Sequence, residues 1–396
     1  MRQTDVLIIG GGLAGSTAAA MLGRAGIATV MVDPHEVYPP DFRCEKLDVS
    51  QQELLRKTGL ADAVLPATTG SAVWAYRPGG MIERKPIRQF NASYETFVNA
   101  MRAAIGGSAT VVYAKADTIS AGPDRQSATL SNGETISARL IVLANGLNAA
   151  VRRNLGMDRE ILSANHSISI GFDIRPVGGA RFDFPAMTFH SRRPAERYAY
   201  LSLFPIGAAM RANLFVYRDM NDPWLRRMRQ EPVATLVELI PALRRVAGAF
   251  EVPEFVKIRP VDLYATTGYR QPGIVLVGDA FGTSCPAAGT GANKVLTDVE
   301  RLCHHHIRNW LATPGMGIEK ISAFYEDPVK AASDVDSLAR AFRVRAMAID
   351  SGLLWSARRT VKMAGRIALG VAGSARGRLA ASPPDGEAAA NSAGRA

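Results

Sequence analysis

The sequence predicts an α/β protein: a Rossmann-like nucleotide-binding domain with an inserted antiparallel-sheet domain and C-terminal helices. Three observations support this fold class. A strand, a glycine-rich turn, a helix and a second strand follow one another from Asp5 to Asp33. From about Ser163 to Pro260, strand patterns succeed each other with few helices between them, as in an antiparallel sheet. From Ile318 onward the pattern is helical and cationic.

The N-terminal unit has the features of a dinucleotide-binding βαβ motif. Asp5–Ile9 is an apolar run typical of a strand buried on both faces, Leu13–Ala25 predicts a helix, and Ala28–Val32 predicts a second strand. The intervening G-x-G-x-x-G permits a tight turn, close approach of a pyrophosphate, and packing of the helix on the sheet. A carboxylate at the end of the second strand can accept hydrogen bonds from ribose hydroxyls. The residues expected to contact the dinucleotide here are Gly10, Gly12, Leu13, Ala14, Gly15 and Asp33.

The elements that follow alternate between helix and strand up to about residue 144. Helices are predicted at Gln51–Thr58 and Tyr94–Ile105, with a turn-rich stretch at 70–92 that enters the second lobe. A strand is predicted at Thr110–Ser120. Two strands, Ser127–Leu130 and Glu134–Ser137, are expected to form a hairpin across an Asn-Gly turn, and a further buried strand is predicted at Leu140–Ala144.

Strands dominate the middle of the chain, and helices return after it. The predicted strands are Ser167–Asp173, Ala186–His190, Tyr198–Phe204 and Leu214–Tyr217, followed by a helix at Leu225–Ala249. A buried strand at Ile274–Val277 precedes a glycine-rich loop and a helix at Ala292–Trp310. We therefore expect a nucleotide-binding domain from residues 1–70, 93–162 and 263–312, an inserted substrate lobe from 71–92 and 163–262, a helical region at 313–373, and a disordered tail at 374–396.

Composition and charge narrow the functional class. The 47% hydrophobic content is that of a globular protein, and no apolar run is long enough for a transmembrane helix. The net charge of +11 is concentrated near the C-terminus, where the stretch from Arg340 to Arg378 contains nine basic residues and one acidic residue, Asp350. This local patch has no nucleic-acid recognition motif beside it, so no nucleic-acid partner is expected. Three sparse cysteines fit a reducing, cytoplasmic setting.

The consecutive residues from Cys303 to His306 do not predict a metal site. Side chains that follow one another on a helix point about 100° apart, so the four cannot converge on one ion. No metal is expected.

A second motif, far along the chain, points to the same nucleotide site. Gly278-Asp279-Ala280 follows the buried strand directly, and a proline- and glycine-rich loop then opens a helix. In these motifs the chain resembles the FAD-dependent monooxygenases of the para-hydroxybenzoate hydroxylase type, the class A flavoprotein monooxygenases, with their halogenase and isoprenoid-reductase relatives. The resemblance covers about residues 5–310. It implies that Asp279 forms a hydrogen bond with the ribityl chain of FAD and that Arg43 contacts the FAD phosphates and ribityl chain. The backbone amides of Gly291, Ala292 and Asn293 are expected to stabilise the anionic reduced ring.

One segment departs from that family and concerns the electron donor. The stretch from Ala144 to Arg152 has Asn145 where the family has Asp, and Ala149 where Ser is common. NAD(P)H is the donor that the resemblance implies, but the change at Asn145 leaves a separate flavin reductase as the alternative. The central stretch has no second G-x-G-x-x-G, which argues against the disulfide reductases.

The substrate site is expected between the flavin and the middle lobe. The candidate lining residues are Tyr198, Tyr200, Phe204, Pro205 and Pro286, and strict alternation would place Tyr198, Tyr200, Ser202 and Phe204 on one face. The alternative is that these aromatic residues form the core of the lobe. No general base is evident; the catalytic candidates are His190 and Tyr200, and a structural role for His190 is the alternative. Cys285 is expected to be an inert buried thiol.

The resemblance implies a hydroxylase. In that family reduced flavin captures O2, and its C4a-hydroperoxide transfers one oxygen atom to a small organic or lipidic substrate. The alternatives are an isoprenoid double-bond reductase, a flavin halogenase and a non-catalytic flavin-binding protein. Halogenation would need Lys46 or Lys85, and the Trp-x-Trp-x-x-Pro segment of halogenases is absent from the sequence. The basic C-terminal helices are expected either to contact an anionic membrane surface or to form a solvated cap.

Overall fold

The computed structural model describes residues 1–43, 45–77, 80–122, 124–179, 181–358, 360–361 and 364–365. The tail predicted at 374–396 lies outside these residues. The strands, in chain order, are β1 (Arg2–Ile9), β2 (Thr29–Asp33), β3 (Lys46–Leu47), β4 (Thr69–Tyr76), β5 (Ile82–Asn91), β6 (Ala109–Tyr113), β7 (Ala116–Ser120), β8 (Gln126–Leu130), β9 (Thr135–Leu143), β10 (Asp158–Pro176), β11 (Met187–His190), β12 (Tyr198–Ile206), β13 (Ala209–Val216), β14 (Phe250–Glu251), β15 (Lys257–Thr267) and β16 (Ile274–Leu276).

The helices surround two sheets built from these strands. They are α1 (Leu13–Arg24), α2 (Val49–Lys57), α3 (Ala61–Val64), α4 (Tyr94–Ala103), α5 (Ala150–Asn154), α6 (Pro223–Gln230), α7 (Pro232–Leu239), α8 (Ala242–Ala247), α9 (Gly291–Arg301), α10 (Arg308–Leu311), α11 (Ile318–Tyr325) and α12 (Pro328–Ile349).

The first sheet is the predicted Rossmann-like layer. Its strand order is β6-β2-β1-β9-β8-β7, with β16 also paired to β9. Strand β1 runs parallel to both β2 and β9, and β8 and β7 extend the sheet as an antiparallel edge. Both faces of β1 are covered: Val6 and Ile8 pack into one core, Leu7 and Ile9 into the other. This two-sided burial explains why β1 is an uninterrupted apolar run.

The second sheet is the predicted antiparallel lobe. Its order is β14-β10-β13-β12-β11-β4-β5-β3, with β15 paired to β10, and all of these pairings are antiparallel except β11 with β4. The residues 70–92, expected to be turn-rich, form the two strands β4 and β5. One face of this sheet packs against α6, α7 and α8 through Leu225, Leu236 and Leu243.

Several predicted elements have different bounds in the structure. The strand expected at Thr110–Ser120 is split into β6 and β7, whereas the two strands expected at Glu134–Ser137 and Leu140–Ala144 are one strand, β9. The helix expected at Leu225–Ala249 is three helices, because prolines at 232 and 241 cannot continue the backbone hydrogen bonding. The helix expected at Ala292–Trp310 winds as a π-helix over Leu302–Ile307.

The C-terminal region is helical through α11 and α12, as expected. Asp327 begins α12 by accepting hydrogen bonds from the backbone amides of Val329 (3.0 Å) and Lys330 (3.1 Å). Within the described part of the chain, none of the helices combines the length and the apolar character needed to cross a bilayer.

Candidate functional site

The glycine-rich turn before α1 can be formed only by glycine at two positions. Gly10 has φ +103°, and a Cβ there would lie 2.6 Å from the Ala144 carbonyl oxygen. A Cβ on Gly15 would lie 1.8 Å from the Gly10 carbonyl oxygen. At Gly12 the nearest atom to an added Cβ is the Tyr94 hydroxyl, at 3.6 Å. Gly10 and Gly15 therefore serve the fold, while Gly12 keeps the approach to the turn open.

The N-terminus of α1 offers hydrogen-bond donors. The Leu13 amide donates to the Tyr94 hydroxyl at 3.2 Å. Within the described residues the amides of Ala14 and Gly15 have no hydrogen-bond partner. Free amides at the positive end of a helix dipole bind anions such as phosphate. Tyr94 lies on α4, and no local sequence pattern connects it with this turn.

Asp33 anchors the same turn. One carboxylate oxygen accepts a hydrogen bond from the Gly11 amide at 2.7 Å, and the other pairs with the Arg102 guanidinium at 2.8 Å. Arg102 also donates to the Gly11 carbonyl oxygen, at 2.8 and 3.0 Å. The expected bond from Asp33 to ribose stays a prediction. Arg102 was missed because nothing in the helix pattern of α4 shows which residue of α4 reaches the glycine turn.

Arg43 and Asp279, assigned separately to FAD from the sequence, lie together. Nη1 of Arg43 is 3.0 Å from Oδ2 of Asp279, and Nε of Arg43 is 2.6 Å from Asp41. Arg259 pairs with the other oxygen of Asp41 at 3.0 Å. Burial alone would lower the pKa of Arg43, but the charges of Asp279 and Asp41 outweigh it and raise that pKa. Arg43 is therefore a permanent cation held beside Asp279.

A buried ionic cluster holds the turn that carries Asp279. Gly278 has φ +61°, and its amide donates to Oδ2 of Asp298 at 2.9 Å. The Asp298 side chain is fully buried, with Lys330 at 3.3 Å and Lys294 at 3.6 Å. Because Lys330 belongs to α12, the C-terminal helix takes part in positioning the candidate flavin contact.

The helix after the proline-rich loop starts where the sequence places it. Helix α9 begins at Gly291, and the amides of Gly291, Ala292 and Asn293 have no hydrogen-bond partner among the residues described. The Asn293 side chain is held by α2: it accepts a hydrogen bond from Gln51 and donates to Ser50 at 2.8 Å. These amides form a second positive helix end facing the proline-rich loop.

The segment that departs from the family is clamped by a buried cation. Asn145 donates to the Asn148 carbonyl oxygen at 3.0 Å. Arg152, only 1% exposed, donates to the carbonyl oxygens of Gly146 and Ala280 at 2.9 Å each. Burial lowers the pKa of Arg152. Arg152 therefore ties this strand end to the turn that carries Asp279.

The alternation predicted for the wall strand is wrong at its first residue. The register of β12 against β13 shifts between Tyr198 and Tyr200, because a bulge at Ala199 inserts an extra residue. Tyr198 packs into the core beneath α6–α8, on the same side as Leu201 and Leu203, and so does not share a face with Tyr200. Tyr198 is therefore part of the lobe core, and its assignment as a substrate-lining residue stays a prediction.

Tyr200 points to the other side, toward the proline-rich loop. Its hydroxyl donates to the Ala287 carbonyl oxygen at 3.1 Å, and burial raises its pKa, so it is a neutral hydrogen-bond donor at physiological pH. Lys46 donates to Ser202 at 2.9 Å and lies 5.1 Å from the centre of the fully buried Phe204 ring. These residues form the face of the sheet that looks toward the candidate flavin site.

A carboxyl beneath this face was not found from the sequence. Glu45 is fully buried, contacts Arg211 and accepts a hydrogen bond from Asn213 at 3.2 Å. Burial raises its pKa to about 7, against the opposing effect of Arg211. No sequence signal marked Glu45, because its partners come from β13, more than 160 residues away.

Tyr200 also borders a cavity of about 1100 Å³. Tyr198, Tyr200 and His190 line it, whereas Phe204, Pro205 and Pro286 do not. His190 and Tyr200 are register partners on β11 and β12, with ring centres 5.7 Å apart. The substrate-lining and catalytic assignments stay predictions, but the structure brings the two catalytic candidates together.

The thiol of Cys285 and the histidines from His304 to His306 lie in surroundings that favour a structural role. Cys285 is fully buried, and burial raises the pKa of its thiol. His306 faces Asp327 at 3.2 Å, while His304 and His305 face Glu300. No group of three potential metal ligands occurs in the described ranges.

The arrangement around the two positive helix ends fits FAD. The uncrowded Gly12, the unpartnered amides of Ala14 and Gly15, and the cationic Arg43 suit a pyrophosphate. Asp279 is placed to accept hydrogen bonds from a polyol chain, and the start of α9 suits an anionic ring edge.

Comparison with known proteins agrees with this geometry. The family described as "FAD binding domain" matches residues 3–307. The chain is 25% identical over 327 residues to 3-demethoxyubiquinol 3-hydroxylase of Escherichia coli, covering 76% of this chain and 79% of that protein. It is 24% identical over 388 residues to digeranylgeranylglycerophospholipid reductase of Thermoplasma acidophilum, covering 85% and 92%.

The fold has solved counterparts. The crystal structure of p-nitrophenol 4-monooxygenase PnpA from Pseudomonas putida DLL-E4 superposes with a TM-score of 0.70 at 15% sequence identity, covering 92% of this chain and 94% of that one. Since the family match spans well over half of the sequence, the chain belongs to the FAD-binding-domain family and is an FAD-dependent oxidoreductase of the flavoprotein monooxygenase and hydroxylase group.

Proposed function

We propose that this protein uses NAD(P)H and O2 to hydroxylate a small organic or lipidic substrate. In the balanced reaction a substrate C–H bond becomes C–OH, the second oxygen atom leaves as water, and NAD(P)H is oxidised. Bound FAD supplies the redox chemistry by storing two electrons and delivering them to O2. The relative named 3-demethoxyubiquinol 3-hydroxylase supports a quinol-like substrate.

One observation carries the proposal: Tyr200 joins the cavity to the loop that opens α9. Its hydroxyl holds the Ala287 carbonyl oxygen at 3.1 Å, and its ring lines the cavity. Tyr200 therefore contacts both the cavity and the loop that opens α9. The aromatic walls of the cavity offer an apolar surface that can orient a ring, which is one contribution a hydroxylase must make.

The cofactor contacts are part of the proposal. Amides at the start of α1 bind the pyrophosphate, Asp33 the ribose, Arg43 and Asp279 the phosphates and ribityl chain, and amides at the start of α9 the ring. We assign this work to residues 1–70, 93–162 and 263–312, and substrate binding to 71–92 and 163–262. Peripheral membrane contact stays a prediction; the exposed Phe342 and Leu353 are compatible with it.

Turnover with isotopic oxygen tests the reaction. FAD-loaded protein is mixed with decylubiquinol or a prenylated phenol under ¹⁸O2, with NADH or NADPH, and O2 consumption and product mass are measured. We expect one ¹⁸O atom in the product and a preference for one nicotinamide. Oxygen consumption that yields only hydrogen peroxide with every probe argues against these substrates, and no oxidation of either nicotinamide shows that a separate reductase is needed.

A double-bond reductase is the second candidate. The digeranylgeranylglycerophospholipid reductase match covers 92% of that protein, which favours a reductase over a halogenase or a non-catalytic flavin-binding protein. The same mixture without O2 separates the reductase from the hydroxylase. A reductase saturates an isoprenoid double bond without O2, a hydroxylase does not, and a flavin-binding protein without activity turns over neither substrate.

A further inference from the structure

The cavity beside Tyr200 has an apolar floor and an arginine-rich rim. The floor includes Tyr76, Phe189 and Tyr198, which are 7%, 1% and 3% exposed. Among the residues that the structure describes, six arginines and two glutamates, Glu196 and Glu238, line the cavity. A solvent-facing site with this division of charge suits a ligand that is apolar at one end and anionic at the other.

Half of the lining arginines already have a carboxylate partner. Arg77 is paired with Glu83, Arg193 with Glu196 at 3.4 Å, and Arg218 with Asp222 at 2.9 Å. Glu238, the second lining acid, pairs with Arg227 outside the cavity at 2.6 Å. Both glutamates that line the cavity are thus already paired, Glu196 with Arg193 and Glu238 with Arg227.

The other three arginines, Arg192, Arg245 and Arg343, form no ion pair with any residue that the structure describes; we call them the rim arginines. Two of them contact the same side chain, Tyr76. Arg245 donates to the Tyr76 hydroxyl at 2.7 Å, and Arg192 lies 5.8 Å from the centre of the Tyr76 ring. Arg343 lies on α12 and also lines the cavity. Two of the three rim arginines therefore contact Tyr76, a residue of the aromatic floor.

We infer that the substrate of the proposed hydroxylation is an amphipathic anion, with its apolar body on the aromatic floor and a carboxylate or phosphate at the rim arginines. This rests on the proposed function, because it identifies the cavity as the substrate site. Guanidinium groups bind both anions through paired N–H donors. A volume of about 1100 Å³ exceeds what a small ring needs, so a long apolar chain also fits.

Binding to the FAD-loaded protein tests the inference without turnover. The probes are dodecyl phosphate below its micelle concentration, phenyl phosphate, neutral dodecanol and inorganic phosphate, with affinity measured by calorimetry. We expect dodecyl phosphate to bind at one site roughly tenfold or more tighter than dodecanol, since three exposed charges each contribute a modest ion-pair energy. Tight binding of phenyl phosphate as well would indicate a small aromatic acid rather than a lipid, which still fits the inference.

A triple variant, Arg192→Gln/Arg245→Gln/Arg343→Gln, links the binding to the rim. All three side chains are exposed, so the variant should keep its bound FAD and its thermal stability. We expect it to lose about tenfold of its affinity for dodecyl phosphate and none for dodecanol. The control is Arg226→Gln, an exposed arginine of α6 outside the cavity, which should bind as the parent does.

Three results would overturn the inference: equal affinity for dodecyl phosphate and dodecanol, unchanged affinity in the triple variant, or inorganic phosphate that binds as tightly as dodecyl phosphate. These outcomes leave the proposed function standing, since hydroxylation of a neutral substrate would satisfy it. Conversely, binding that depends on the rim arginines, without ¹⁸O incorporation into any bound anion, would contradict the hydroxylase assignment but not the anion-binding site.

Discussion

The guanidinium of Arg43 lies 3.0 Å from the carboxylate of Asp279, although the two residues are 236 positions apart in the sequence. Arg43 follows the first βαβ unit, and Asp279 follows the last strand of the parallel sheet. Their contact brings the two halves of the candidate flavin site together. Because each charge stabilises the other, the pair forms one binding unit rather than two independent contacts.

Breaking the Arg43–Asp279 pair should weaken FAD binding non-additively. Each of Arg43→Met and Asp279→Asn is expected to raise the Kd for FAD about tenfold or more, since each removes a charge-assisted hydrogen bond. The double variant should lose less than the product of the two effects. Titration of apoprotein with FAD measures the Kd values, and Asp117→Asn, an exposed change on β7, is the control. An Asp279→Asn protein that purifies fully loaded with FAD would contradict the assignment.

Two glycines of the same motif should respond differently to alanine. Gly15→Ala would place a Cβ 1.8 Å from the Gly10 carbonyl oxygen, so we expect a loss of about 3 kcal/mol or more in the free energy of unfolding. Gly12→Ala meets nothing closer than 3.6 Å and should fold normally while binding FAD more weakly. Urea unfolding and FAD titration of both variants separate the effects. Equal stability of the two proteins would show that the turn can relax.

Removing Lys330 should destabilise the fold and loosen FAD together. Lys330→Met removes the nearer of the two lysines beside the fully buried Asp298 carboxylate and also the partner of Asp334 at 2.7 Å, and breaking a buried ion pair costs about 3–5 kcal/mol. The Gly278 turn, held by Asp298, should then release FAD more readily. Urea unfolding and the FAD dissociation rate are the measurements. Lys115→Met, at an exposed position, serves as the control; a variant as stable as this control would refute the role of the cluster.

Stability should fall in acid through Asp327. Burial alone would raise the pKa of its carboxyl, but hydrogen bonds from Arg301 and from the start of α12 lower it to about 2, from an ordinary value of 3.8. A carboxyl whose pKa is lower in the folded state stabilises above its unfolded pKa, and this contribution, about 2 kcal/mol, is lost as the pH falls from about 4 toward 2. Urea unfolding between pH 2 and 5 should show a shallower acid loss for Asp327→Asn than for the parent. Identical slopes would be inconsistent with this assignment.

Local pattern was enough to predict the elements that we propose hold FAD. The glycines at 10, 12 and 15, the apolar run of β1 and the start of α9 at Gly291 follow from turn chemistry and burial, which act over a few residues. The predicted bounds of strands were wrong where tertiary contacts override the local preference of the sequence. Strand β9 is one element because it pairs with β1 from Ile136 to Leu143, and the bulge at Ala199 moves Tyr198 to the opposite face.

By itself, the sequence determined the fold class and the residues expected to meet FAD, because the strand–turn–helix units at both ends of the catalytic body are defined by neighbouring residues. Only the tertiary structure decided which charges become partners: Arg102 with Asp33, Lys330 with Asp298, and the rim arginines with no acid in the described chain. Those pairings depend on how the sheets and α12 pack. Side chains more than 30 residues apart along the chain meet only when burial brings their elements together.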